Sequence, residues 1–406
     1  MSERRSSAAE SEVIVAGHIC LDIIPAMRGA AAPGQSVGEL LVPGKLIDVG
    51  AAAFSTGGAV PNTGIALRRL GLPVTLMGKV GDDLIGSTIQ SIVGSYDERL
   101  AEGMIVAPGE PSSYSVVISP PGIDRIFLHC TGANDTFSAD DVSAEKLEGA
   151  RLFHFGYPPL MKRMYESGGA ELVRLLSLVK SQGLTVSLDL ARPDPESPAG
   201  RADWRAILQG ALPQVDVFLP SFEEILYMLQ PRRYRELAER QGSDELLGHA
   251  DGPLLSELSA ELLNMGAAIV AIKLGEHGLY VRTTDSAERL AGMGPCTPTD
   301  ASWRSRELYA PCFRVEVAGT TGAGDCTIAG FLTGLLKGLT AEETLLAAVG
   351  TGAHNVERAD AVSGIPDWAS LRSRIAAGWA QREPGPSLPG WSRDPASGVW
   401  SAEADR

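Results

Sequence analysis

Cysteine is scarce in this 406-residue chain. There are five, Cys20, Cys130, Cys296, Cys312 and Cys326, an odd number with no CxxC pair and none at zinc-finger spacing from two histidines. That excludes a disulfide framework or a zinc ribbon and fits the reducing cytoplasm. Positive charge is also short, with 35 Lys+Arg against 50 Asp+Glu and a net charge of −15. So negative a surface repels phosphate backbones and anionic lipid, which argues against nucleic-acid and membrane-surface partners. No apolar run approaches the roughly 20 residues of a membrane span. The polar start MSERRSSAAESE, with His18 and Asp22 interrupting the apolar run that follows, argues against a signal peptide. With 44% hydrophobic and 21% charged residues, the chain can bury a large core.

Short apolar runs alternate with helical patterns. VIVAG (13–17), PVTLMGKVG (73–81), LFHFG (152–156), GLTVSLDL (183–190), VDVFLP (215–220) and AAIVAIKLG (267–275) read as buried strands. Helical periodicity falls over 60–72, 170–181 and 254–265. This alternation predicts βαβ crossovers and a mainly parallel sheet covered on both faces. Two regions break it. YSVVI (114–118) and RIFLHC (125–130) flank a Pro/Gly turn and predict a hairpin, and 36–55 also reads as strand. Such inserted strands are candidates for a lid or a dimer surface. The stretch 283–312 reads as an extended irregular loop. The tail 381–406, rich in Pro, Ser and Gly, reads as a disordered segment or a surface arm.

The strongest chemical signal is GTTGAGDCTIAGFLTGLLKGL (319–339). After Asp325, Ile328, Phe331, Leu332, Leu335 and Leu336 recur at helical spacing, which places the glycines at a helix N-terminus. There the free amides of Gly322, Ala323 and Gly324 can converge on an anion. Asp325, in the first turn, can accept a hydroxyl proton while the amides hold a phosphoryl group, the division of labour of phosphoryl transfer. A capped glycine turn with no chemistry is the plain alternative. The GxxxxGK[ST] phosphate loop is absent, and Thr327 stands where GxGxxG would need its last glycine.

With these residues the sequence resembles the PfkB/ribokinase family of carbohydrate and nucleoside kinases. VAGTTGAGD (317–325) is similar to that family's C-terminal signature, and GGAVPNTGIALRRLG (57–71) to its N-terminal one, with KVGDDLIG (79–86) following in the expected order. The resemblance spans about 12–380 and implies a ribokinase-like α/β fold, a mainly parallel Rossmann-like sheet flanked by helices with a small β lid. It implies transfer of the γ-phosphoryl group of ATP, with Mg²⁺, to a hydroxyl of a sugar. Asp325 then matches the catalytic base, and Gly322, Ala323 and Gly324 the anion hole. Asp22, Gly57, Gly58 and Asn62 match substrate contacts, with Asn134 in TGAND a further candidate. PSFEE (220–224) is similar to an Asn-x-x-Glu element, with Ser221 in place of Asn and Glu224 acting on Mg²⁺ through water. Lys273, Gly275 and Gly278 match the nucleotide loop, and Asn355 a contact to the base. Gly319 replaces the Asp that often opens the signature, which leaves monovalent-cation activation in doubt. Of the histidines, His129 is the pocket candidate. A nucleoside or vitamin kinase of the same fold, and a binding protein without turnover, stay open beside the sugar kinase.

Overall fold

The structure is a computed structural model that describes residues 12–27, 43–119 and 126–403. In chain order the strands are β1 (Val13–Gly17), β2 (Cys20–Pro25), β3 (Ala52–Gly57), β4 (Val74–Gly81), β5 (Ile105–Ala107), β6 (Tyr114–Ile118), β7 (Ile126–Cys130) and β8 (Leu152–Gly156). They continue with β9 (Thr185–Leu188), β10 (Val217–Phe218), β11 (Ile269–Lys273), β12 (Leu279–Thr283), β13 (Glu307–Ala310), β14 (Ser392–Arg393) and β15 (Trp400–Ser401).

Eleven strands form one sheet in the order β14-β15-β13-β12-β11-β10-β9-β8-β1-β4-β5. From β5 to β11 every pairing is parallel, and from β11 outward every pairing is antiparallel. Because side chains alternate across a strand, each parallel strand feeds two cores. Val13 and Val15 face one, packed with helices that include α1 (Ala59–Arg69). Ile14 and Ala16 face the other, with Phe153, Phe155 and the leucines of α2 (Ala170–Ser181). Further along come α3 (Phe222–Leu229), α4 (Ala323–Leu336) and α5 (Ala341–Val356). The last two pack closely because Gly330 and Gly334 carry no side chain. A Cβ on Gly330 would stand 2.6 Å from the Ala347 carbonyl, and one on Gly334 3.0 Å from Thr344 Cα. The capping box of Thr340 and Glu343 opens α5.

The second sheet, β3-β2-β6-β7, is the lid. The expected hairpin is β6–β7, paired antiparallel from Tyr114↔Cys130 to Ile118↔Ile126. Of the strand-like stretch near 36–56, β3 begins only at Ala52, and 36–42 lies outside the described residues. Register across the lid separates two faces. Ser55, Asp22, Ser115 and His129 form one row, while Phe54, Ile23, Val116 and Leu128 form the next row on the opposite face.

One expectation is corrected, and of the two readings of the tail, a disordered segment or a surface arm, the second holds. The stretch 283–312 is not an irregular loop. It holds a short helix, Ala287–Ala291, and then β13, which pairs with β12. Its polar composition hid the strand because only four residues, ELYA, enter the sheet. The tail is an ordered arm. The Trp391 ring packs tilted against Tyr280 at 6.1 Å between ring centroids, and β15 pairs with β13. Among the described residues no helix is long and apolar enough to cross a membrane.

Asp216, fully buried just before β10, joins the sheet to its surroundings. It takes Lys180 Nζ at 2.6 Å, Arg289 at 2.8 Å and the Val186 amide at 2.8 Å. Removing one member of a buried charge set leaves the others uncompensated. Asp216→Ala is therefore expected to lower unfolding stability by about 3 kcal/mol, measured as a fall in the urea midpoint, whereas an unchanged midpoint would contradict this account.

Candidate active site

In parallel sheets the carboxyl ends of the strands turn outward together, so residues just past them meet in one crevice. Here His18 follows β1, Tyr157 follows β8, Asp189 follows β9, Ser221 follows β10 by three residues and Lys273 ends β11. Helix α4 aims its N-terminus at the same place. Its N-cap is Gly322 at φ +73°, a left-handed turn in which a Cβ would lie 2.9 Å from that of Ala361.

Asp325 is the centre. It is 3% exposed, and both carboxylate oxygens are taken. Asn62 Nδ2 donates to Oδ2 at 3.0 Å, and the Tyr157 hydroxyl donates to Oδ1 at 2.9 Å. Burial raises the Asp325 carboxyl above the usual carboxylate range, while the two donors and the Lys273 ammonium oppose that rise. Burial also raises the Tyr157 hydroxyl well above the tyrosine range, so it stays a donor. Tyr157 itself sits at φ 65° in the left-handed region, which turns its ring from the end of β8 toward α4.

Lys273 forms the second half of the site. Its ammonium lies 2.6 Å from Asp189 Oδ1 and beside Gly324, whose absent Cβ would sit 3.8 Å from Nζ. Burial alone would lower the lysine. The carboxylates of Asp189 and Glu224 outweigh it and hold Lys273 charged. Burial pushes Asp189 upward against the pull of that ammonium. A fixed cation beside helix amides attracts an anion. The cavity that opens from this point measures about 500 Å³. Lys273, Thr320, Ala323 and Gly324 line its polar end, and Val315, Val317, Val349, Ala353 and Val356 its apolar wall. Gly275 and Gly278 border it, the latter at φ +119° with a Cβ position 2.1 Å from the Ala310 carbonyl. Phosphate chemistry at one end and an apolar slot at the other suit a nucleotide.

The remaining predicted residues divide. Glu224 is in the first turn of α3, where its Oε2 accepts the Ser221 amide at 2.7 Å. Ser221 thus retains the acid's orientation. Asp22 lies against Gly57, 2.4 Å from where a Cβ would stand, and His18 similarly crowds Gly58. These glycines let the lid strands and α1 approach the end of β1. Asn62 is buried and points to Asp325. Asn134 is not presented to the cleft: fully buried, it exchanges hydrogen bonds with the Ile19 backbone and donates to the Thr131 carbonyl. Asn355 is also buried, its amide 2.5 Å from the Ala361 carbonyl, with its neighbour Val356 lining the cavity in its place. Gly319 is packed so that a Cβ would meet Ala359 Cα at 2.9 Å, which explains why no Asp stands there.

Sequence reasoning passed over Tyr157 and Asp189. Both follow buried strands directly, and that position was the available signal.

A cavity with a cation and helix amides at one end and an apolar wall at the other, meeting a buried carboxylate beside a β lid, is the site of an α/β enzyme. The chain matches the model of the pfkB family carbohydrate kinases over residues 13–368 and belongs to that family. It is a phosphotransferase with a hydroxyl group as acceptor, in a family of ATP-using kinases. An uncharacterized sugar kinase of Archaeoglobus fulgidus is 26% identical over 303 residues, covering 74% of this chain and 98% of its own. A fructokinase with bound ATP from Xylella fastidiosa has the same fold at TM-score 0.65 and 17% identity, over 90% of this chain and 99% of its own. The Arabidopsis thaliana ribokinase complexed with ribose and ATP superposes at TM-score 0.63 and 18% identity, over 90% and 98%.

Asn62→Leu deletes one donor that favours ionised Asp325, so the carboxyl should titrate higher than in the wild-type chain. Carbon-13 NMR of labelled Asp, with Asp325→Asn to assign the signal, reads the midpoint. An unmoved midpoint would show that Asn62 does not tune this acid.

Proposed function

We propose that this kinase transfers the γ-phosphoryl group of ATP to a hydroxyl of a monosaccharide or related neutral sugar. The observation that carries the reading is the meeting of Asp325 with the α4 N-terminus and Lys273 at one junction. The nucleotide occupies the cavity, base against Val349 and Val356, phosphates toward Lys273 and the amides of Gly322, Ala323 and Gly324. The acceptor lies under the lid on the other side of Asp325, facing the polar row of Asp22, Ser55 and Ser115. Asp325 takes the hydroxyl proton as the oxygen attacks phosphorus, and the bond to the ADP oxygen breaks. Tyr157 and Asn62 fix the carboxylate's direction, and the amides and Lys273 take up the charge on the moving phosphoryl group. Closing the lid excludes water, which would otherwise hydrolyse ATP.

Mg²⁺ fits the oxygen donors present. Asp189 Oδ2 is buried without a partner, and Glu224 adds a second carboxylate nearby, the chemistry a hard divalent cation takes. When bound, the ion supplies positive charge to the phosphate oxygens. Glu224 acts on it through water in this reading.

The lid's other face supports a homodimer. Phe54 is 56% exposed and Leu128 55%, in one row at its two edges, an apolar surface that a second lid would cover.

Asp325→Asn should lower kcat by two to four orders of magnitude, roughly the share of a general base, with little change in KM for ATP. The fold should keep or raise its Tm, because a buried carboxylate whose pKa is raised disfavours the folded state at neutral pH. The measurement is ADP release with Mg-ATP across monosaccharides, polyols and nucleosides. Near-wild-type turnover in the variant would remove Asp325 from the mechanism, and turnover with nucleosides alone would replace the sugar as acceptor.

A further inference from the structure

Under the lid, three side chains of a different chemistry converge. His18 extends from the end of β1, Cys20 from the first position of β2, and His129 from β7 on the lid's polar face. One ligand atom of each lies within 4.8 Å of the other two. The rings of His18 and His129 are 5.4 Å apart. His18 is 3% exposed, yet neither ring nitrogen has a hydrogen-bond partner. Two unsatisfied nitrogens buried together are costly unless something meets them.

His129 is prepared in the manner of a metal ligand. Ser115 Oγ holds its Nδ1 at 2.9 Å, which fixes the ring and leaves Nε2 for another partner. Ser115 also reaches Cys20 Sγ at 3.8 Å, so the same hydroxyl touches both lid ligands. Two imidazoles and one thiol form a borderline-soft donor set, which selects Zn²⁺ or a similar transition ion and not Mg²⁺.

We propose that His18, Cys20 and His129 form a transition-metal site, built for Zn²⁺, whose occupation blocks the acceptor pocket of this kinase. Binding replaces the thiol proton, which leaves to solvent as the Zn–S bond forms, and a fourth position stays open to water. Tetrahedral zinc, with bonds of about 2.0–2.3 Å, needs ligand atoms roughly 3.5 Å apart. The three atoms, which lie within 4.8 Å of one another, must therefore draw together to reach that spacing. His129 rides on the lid and His18 on the main sheet, so this movement pulls the lid shut over a pocket that holds metal in place of sugar. The metal site stands on its own geometry, while the blocking effect rests on the acceptor position proposed above.

The test uses the full chain freed of metal. Titration with Co²⁺ should give one equivalent with a thiolate-to-cobalt charge-transfer band. Cys20→Ser should abolish the band, and His129→Ala should weaken binding at least about tenfold. Cys130→Ser serves as the control: Cys130 follows His129 on β7 and points to the other face, so the band should persist. No band in the wild-type chain, or a band that survives Cys20→Ser, overturns the site. In a second measurement Zn²⁺ should inhibit phosphoryl transfer competitively with the acceptor, and His129→Ala should relieve the inhibition. Cobalt binding with inhibition competitive against ATP would keep the site and overturn the placement of the acceptor. Turnover plays no part in the cobalt titration, so its failure is separable from failure of the kinase reading.

Discussion

The carboxylate of Asp325 must be out of water yet ionised, and most of what surrounds it answers that constraint. An isolated buried carboxylate takes up a proton and ceases to be a base. Here Asn62, Tyr157 and the ammonium of Lys273 support the charged form. The donors come from α1, the end of β8 and the end of β11. Asn62 and Asp325 are 263 residues apart in the chain. Only a sheet whose middle strands end on one side brings such distant segments to one atom. The parallel order β8-β1-β4, with α1 and α4 packed against each other, provides it.

The same electrostatics extend to the ion pair beside it. Lys273 is paired with Asp189 at 2.6 Å, and a salt bridge buried this deeply is not in itself a strong source of stability. Its use is to keep a cation at the mouth of α4 without leaving an uncompensated charge when the cavity is empty. Asp189 raised by burial and Lys273 held charged are two aspects of one arrangement, in which the pair shares a net charge that a phosphate can change. Asp325 and Lys273 also act on each other directly, since the ammonium opposes the rise that burial imposes on the Asp325 carboxyl.

Much of this was legible in the sequence where local rules dominate. The strands β1, β8 and β11 are mainly apolar runs ending in Gly or Lys, β9 is a short β-branched run followed by Asp189, and the hairpin β6–β7 announces itself by its Pro/Gly turn. The glycine turn of 319–325 reads as a helix N-terminus because the hydrophobic period that follows can be nothing else. Long-range partners were not legible. Asn134 and Asn355 have the residue type of ligand contacts, but buried backbone carbonyls claim their amides. Tyr157 looked like any aromatic after a strand until its left-handed backbone turned it onto Asp325. The strand β13 was lost for the opposite reason: four residues pair with β12 inside thirty polar ones, and the register of a neighbour, not local pattern, makes them a strand.

The lid illustrates how one period-2 element serves two purposes. Along β2, β6 and β7 the polar side chains of Asp22, Ser115 and His129 fall in one row and the apolar ones in the next. A shift of one residue in the pairing of an edge strand would turn that strand over, bringing Phe54 of β3 or Leu128 of β7 to the polar face. Register is therefore a functional quantity here. Asn134 helps to set it, since its side chain bonds both the Ile19 amide and carbonyl just ahead of β2 and the Thr131 carbonyl just after β7. Fully buried, Asn134 thus helps to fix which side chains the lid presents on each of its faces.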